Sequence, residues 1–261
     1  MMIKKDVDYT KKIVQSGLFI SLAIIIRNFS YMVYFGGAPG MRIGFSGIFI
    51  HMPAILFGPL YGGIASGILD VLGYMLKPDG AYIPWLTVTA IAGGIITGYI
   101  WKIFKNINTE LLQKKLFTIF IVVFAVGVIN HISVAYFPNT FWSHSVMSIG
   151  KNRDLLTFGL EGVSIAGIGL LAIDIMIQKK YRNLFLKQFY LKLITAIGAS
   201  EIVVTVFNTF ILRMFIPSLG KKGFIILLIP RLFEGIFVTV IQAYIISLLL
   251  SIYRKIEKDK I

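Results

Sequence analysis

The chain reads as an all-α polytopic membrane protein with about eight transmembrane helices. Three observations predict this. Of its 261 residues, 57% are hydrophobic and 15% charged, against about half and a quarter in a soluble globular chain. The mean hydropathy is +0.82. The Lys and Arg residues behind the net charge of +14 gather in short clusters between apolar runs. That pattern orients helices in a bilayer; a nucleic-acid surface would concentrate the charge on one face.

The apolar runs can be placed in order. The first span is expected at 13–35, after a charged Met1–Lys12 segment. It reads as a retained helix, because no small-residue cleavage site follows it. The next two are expected at 43–57 and 60–76, split at Gly58-Pro59. One helix over that whole stretch would run to roughly 50 Å, well beyond a hydrocarbon core of about 30 Å. The fourth, 84–104, opens on Pro84, a favoured first-turn residue. The remaining spans are expected at 116–137, 155–178, 193–216 and 223–250. No linker, soluble domain or internal repeat interrupts them, so 1–261 reads as one transmembrane domain.

The charges give an orientation. Of 26 Lys and Arg, six fall in expected external loops: Arg42, Lys77, Lys151, Arg153, Lys221 and Lys222. Arg27, Arg213 and Arg231 lie within spans, and the other 17 lie in expected cytoplasmic segments. Both termini are therefore expected in the cytoplasm.

Several chemistries are excluded. There is no cysteine, hence no disulfide or thiolate site. His51, His131 and His144 are scattered, and no Gly-rich loop ending in Gly-Lys-Ser/Thr is present to cradle phosphates. No metal or cofactor is expected.

Small residues recur at four-residue spacing: Gly63 and Gly67 in the third span, and Ala90, Gly94 and Gly98 in the fourth. Such faces let helix backbones approach closely in lipid. In the fourth span, internal packing is the favoured reading. Polar residues converge in the outer halves of the spans: Arg27, His51, Asn130, His131, Glu161, Asn208, Thr209, Arg213 and Arg231, with Arg42 at the entry to the second span. A set of buried ion pairs, including Asp70 and Glu234 with Arg27 or Arg231, and a polar cavity within an apolar lining both account for them. Arg42 and Arg213 stand near the outer entrance, where a guanidinium can grip a carboxylate; Tyr82 and Trp85 can stack on a flat ring. The candidate substrate residues are these four with Arg27, His51, Asn208 and Arg231.

Three stretches carry a resemblance to a known family. They are Arg42-Ile43-Gly44-Phe45; Phe57-Gly58-Pro59 with Gly62, Gly63, Gly67, Asp70 and Gly73; and Tyr82-Ile83-Pro84-Trp85-Leu86-Thr87-Val88-Thr89-Ala90. Together they resemble the substrate-capturing S component of energy-coupling-factor (ECF) vitamin transporters, folate branch, over about 14–104. Trp85 stands where that family has a glycine. Asn208-Thr209 and Pro230-Arg231 resemble its last two helices, 189–253 here. The resemblance implies a six-helix core, with 115–182 as an inserted helix pair. It also implies capture of a vitamin from outside, no ATP hydrolysis by this chain, and docking on a separate transmembrane coupling protein that carries two ATPases. The docking face it implies is built of small residues on the first helices, which Gly17, Ser21, Ala23, Gly63 and Gly67 would supply. Two other classes are weighed against it. A carrier driven by protons through Asp70 or Glu234 would need no ATPase. An intramembrane enzyme using Asp70, Glu161 or His131 lacks any catalytic spacing.

Overall fold

The structure is a computed structural model. It describes residues 2–35, 38–78, 80–137, 139–140, 186–221 and 223–258, together with helical residues 161–162, 164–165, 167–169, 171–173 and 175–176. The elements in order are α1 (Met2–Asn28), β1 (Tyr31–Phe35), β2 (Ala38–Ile43), α2 (Gly47–Phe57), α3 (Pro59–Leu76), α4 (Pro84–Phe104), α5 (Thr109–Tyr136), α6 (Leu186–Phe215), α7 (Pro217–Gly220) and α8 (Phe224–Lys258). Among the described residues six helices are long and apolar enough to cross a membrane: Tyr9–Asn28, Pro59–Leu76, Pro84–Phe104, Thr109–Tyr136, Phe189–Phe215 and Phe224–Tyr253. Much of the expected span 155–178 lies outside the described residues.

Two expected spans are corrected. The first helix stops at Asn28, not 35, and Tyr31–Phe35 pairs antiparallel with Ala38–Ile43. The run Tyr31-Met32-Val33-Tyr34-Phe35 is aromatic and β-branched, a composition that suits a strand as well as a helix end. The end of α1 is fixed by Lys77, whose Nζ donates to the carbonyls of Asn28 (3.2 Å) and Ser30 (2.8 Å). The second span is also shorter than expected, because Ile43 is still paired with Tyr31. Helix α2 has 11 residues, which is about 16 Å, half the hydrocarbon thickness. Gly58 separates α2 from α3 at φ +101, a backbone region that a Cβ would strain.

Contacts divide the described chain into two units, Met1–Asn106 with Gln188–Ile261, and Ile107–Lys187. In the first unit α3 and α4 meet backbone to backbone. A Cβ added at Gly94 would run into the carbonyl oxygen of Gly62, and one at Gly62 would come 2.6 Å from the Gly94 oxygen. Further along the seam, a Cβ on Gly98 would sit 2.7 Å from the Pro59 nitrogen, while Gly63 and Gly67 face Ile95 and Ile91. Close approach of this kind gains van der Waals contact where lipid offers no hydrophobic drive. Beside the seam, Ile20 and Ala23 of α1 pack with Ile50, Ala65 and Leu69. A second cluster joins Ile83, Leu212, Leu219 and Leu227. In the second unit, Asn108 caps α5 by accepting from the Glu110 amide at 2.9 Å, and Gly167 leaves room for the Phe120 ring.

Candidate functional site

A cavity of about 250 Å³ opens within the first unit, just below the roughly 300–1,000 Å³ of ordinary small-molecule pockets. Its lining draws on α1, β2 and the turn after it, α2, α3, α4, α6 and α8. Five glycines line it, Gly44, Gly47, Gly93, Gly94 and Gly235; a Cβ would meet open space only at Gly235, and at the others would press on Ser30, Gln242, Val204 and Gly62.

The charged lining falls into two groups. The first is Arg27, Asp70 and Arg42. Arg27 Nη1 lies 3.7 Å from Asp70 Oδ1 and donates to the Leu69 carbonyl at 3.2 Å. It can cross α3 because Gly73 has no side chain; a Cβ there would overlap the guanidinium. The other Asp70 oxygen accepts from Thr87 Oγ1 at 2.7 Å, and Tyr82 donates its phenolic hydrogen to the same hydroxyl at 2.7 Å. A continuous polar chain thus runs from the segment before α4 down to the cavity. Arg42 Nη1 donates to Ser30 Oγ at 3.4 Å, and Ser30 Oγ donates to the Arg27 carbonyl at 2.6 Å. The hairpin therefore holds Arg42 against the end of α1.

The second group is His51, Glu201 and Glu234, on α2, α6 and α8. His51 Nε2 lies 3.7 Å from Glu201 Oε1. His51 is only 6% exposed, and its Nδ1 is buried without a partner. Neither carboxylate is ion-paired to Arg27 or Arg42 among the described residues. Nearby, Ser200 donates to the Gly93 carbonyl at 2.7 Å, and Gln242 Nε2 donates to the Gly44 carbonyl at 3.4 Å.

Of the eight residues expected at the site, the structure brings Arg27, Arg42 and His51 to the cavity lining. Tyr82 reaches it indirectly through Thr87 and Asp70. Trp85 is 57% exposed beside it in sequence and lines nothing. Asn208 is bonded to Thr89, and Arg231 Nη1 donates to Thr209 at 3.0 Å. Arg213 does not line this cavity. Its Nη2 donates to the Gly220 carbonyl at 3.4 Å, and its guanidinium lies 6.0 Å from the Phe224 ring. The turn at α7 folds back onto the last turn of α6 and engages that side chain. Asn130, His131 and Glu161 belong to the second unit.

The expected docking face is also reduced. Ala23 is fully buried, and Gly63 and Gly67 are taken up against α4. Gly17 has open space around it, and Ser21 is exposed, its hydroxyl donating to the Gly17 carbonyl at 2.9 Å. Glu201, outside the residues expected at the site, lines the cavity beside His51. A signal was present in the register. Glu201, Thr205 and Asn208 recur at helical spacing on α6, as do Arg231, Glu234, Val238 and Gln242 on α8.

Comparison with known proteins adds three findings. A family model described as "ECF-type riboflavin transporter, S component" matches residues 8–152, a little over half of the chain. A folate transporter, FolT, from Clostridium novyi (strain NT) is 38% identical over 104 residues, which is 40% of this chain and 54% of that one. The chain thus spans about half the length of this curated relative. The crystal structure of FolT bound with folic acid aligns at 22% identity and a TM-score of 0.33, covering 62% of this chain and 97% of that one.

Proposed function

The chain belongs to the ECF-type riboflavin transporter S component family, and on that footing we propose that it is the substrate-binding subunit of an importer for a folate-like vitamin. Family membership makes it a multi-pass membrane transport subunit, not an enzyme. The proposal is that it takes the vitamin from outside and delivers it with a separate transmembrane coupling protein and two ATPase subunits. It extends to both termini being cytoplasmic and to 115–182 being an inserted helix pair in one transmembrane domain.

The observation that carries the reading is the pair of guanidiniums, Arg27 and Arg42, both from the family-matched stretch and both lining one cavity. Folate-like vitamins are flat and anionic, and a guanidinium holds a carboxylate by two parallel hydrogen bonds. The curated relative is named as a folate transporter, which supports the same class. Tyr82 and Trp85 precede or open α4 next to the residues that anchor Asp70, so they are proposed to cover the ligand.

Equilibrium binding to the purified chain tests this. Folic acid is expected to bind with a dissociation constant of about 1 μM or tighter, corresponding to about 8 kcal/mol. Tight binding of riboflavin with none of folic acid would replace the vitamin class. Binding of neither, or uptake by this chain alone without ATPases, would overturn the reading.

A further inference from the structure

Resting on the reading just given, we propose that Glu201, Glu234 and His51 form a second recognition end of the cavity, which takes a flat ring presenting adjacent N–H donors, while Arg27 and Arg42 take the ligand's acidic end.

The lining is divided by element. Its cations come from α1 and β2, and the two carboxylates not used by Arg27 come from α6 and α8. Asp70 is occupied by Arg27 and Thr87. Glu234 makes no hydrogen bond or close ion pair among the described residues, but it interacts electrostatically with Arg231, three residues before it, whose Nη1 also donates to Thr209. Glu201 has only the 3.7 Å contact to His51. Two carboxylates lining one cavity repel each other and favour donors.

His51 adds a polar side chain to the same lining. It lines the same cavity and keeps Nδ1 buried and unbonded. An imidazole nitrogen can donate or accept, according to its tautomer.

The chemistry that satisfies this end is specific. An amino group next to a ring N–H offers two parallel donors to one carboxylate, the same two-point geometry a guanidinium offers. A ring with only acceptors there would leave both carboxylates unsatisfied. The ligand is therefore polar at both ends with opposite demands: donors toward α6 and α8, acceptors toward α1 and β2. Glu201 and Glu234 also lie beyond the family-matched residues 8–152.

The test is a double-mutant cycle on the purified full chain, with folic acid and 2-desamino-folic acid as probes. They differ by one donor on the ring. The wild type is expected to prefer folic acid by about tenfold or more. Glu234→Gln or Glu201→Gln should shrink that preference to less than about threefold in at least one variant. Arg42→Ala should weaken both probes by the same factor and leave the preference intact. Thermal unfolding in detergent confirms that each variant is folded. Should the preference survive in both glutamine variants, or be missing from the wild type, the assignment of the ring end is wrong while the transport reading stands. Failure of the wild type to bind folic acid at all overturns the reading and this assignment with it.

Discussion

The seam between α3 and α4 and the lining supplied by α6 and α8 bound the same cavity by contrary means. At the seam, side chains are missing: Gly62 and Gly94 bring backbone against backbone, and Gly98 meets Pro59. On α6 and α8 the decisive groups are charged side chains, Glu201 and Glu234, with sparse partners. The seam is made by shape, through close backbone approach. The other wall holds polarity that is costly until a ligand answers it. The first arrangement fixes where the cavity is; the second decides what it admits.

Breaking the seam should have the largest effect. Gly94→Leu would force α3 and α4 apart at a backbone contact, at a cost of about 3 kcal/mol or more. Monodisperse yield after detergent extraction and the thermal midpoint should both fall. Gly17→Leu is the control. Nothing lies within 4 Å of a Cβ there, so its stability should stay within about 0.5 kcal/mol of wild type. A stable Gly94→Leu protein would mean that the seam does not hold the fold.

The next effect should be on affinity. Arg42→Ala is expected to lower folic-acid affinity about 30-fold or more, the loss of about 2–5 kcal/mol that follows truncation of one partner of a buried charge pair. Arg42→Lys should recover only part, because lysine keeps the charge but not the fork. Arg213→Ala should change affinity by less than about twofold, since its guanidinium serves the Gly220 carbonyl. Titration of the three variants side by side checks this, and equal losses in Arg42→Ala and Arg213→Ala would refute the cavity boundary drawn here.

The smallest effect should come from the polar chain that joins the α4 start to the cavity. Thr87→Val removes one donor to the Asp70 carboxylate, worth about 1.5–3 kcal/mol. Tyr82→Phe in that background should add almost nothing, because Tyr82 acts through the Thr87 hydroxyl. Additive losses in thermal stability would show that the two hydroxyls do not form one chain.

The same contrast explains what the sequence disclosed. Helix α4 was expected at 84–104 and found there, because Pro84 marks its first turn and the small residues mark its buried face. The end of α1 and start of α2 were misplaced, because a short aromatic run such as Tyr31–Phe35 has no period long enough to separate strand from helix. At the site, Arg27, Arg42 and His51 were legible as polar residues in apolar surroundings. Arg213 was placed by depth alone; its bond to the Gly220 carbonyl, in the short helix Pro217–Gly220, cannot be read from one helix. Glu201 had no sequence account because its neighbour, His51, lies 150 positions earlier.

The Gly62–Gly94 contact also bears on motion. Side chains at an interface can change rotamer and let one helix slide past another in discrete steps. A carbonyl lodged against a bare Cα has no rotamer to change. Helices α3 and α4 must therefore shift together as one stiff body, and any opening that admits or releases a ligand has to be taken up by α1, the hairpin, α6 and α8. Amide hydrogen exchange should record this as two kinetic classes, with the slowest amides on α3 and α4.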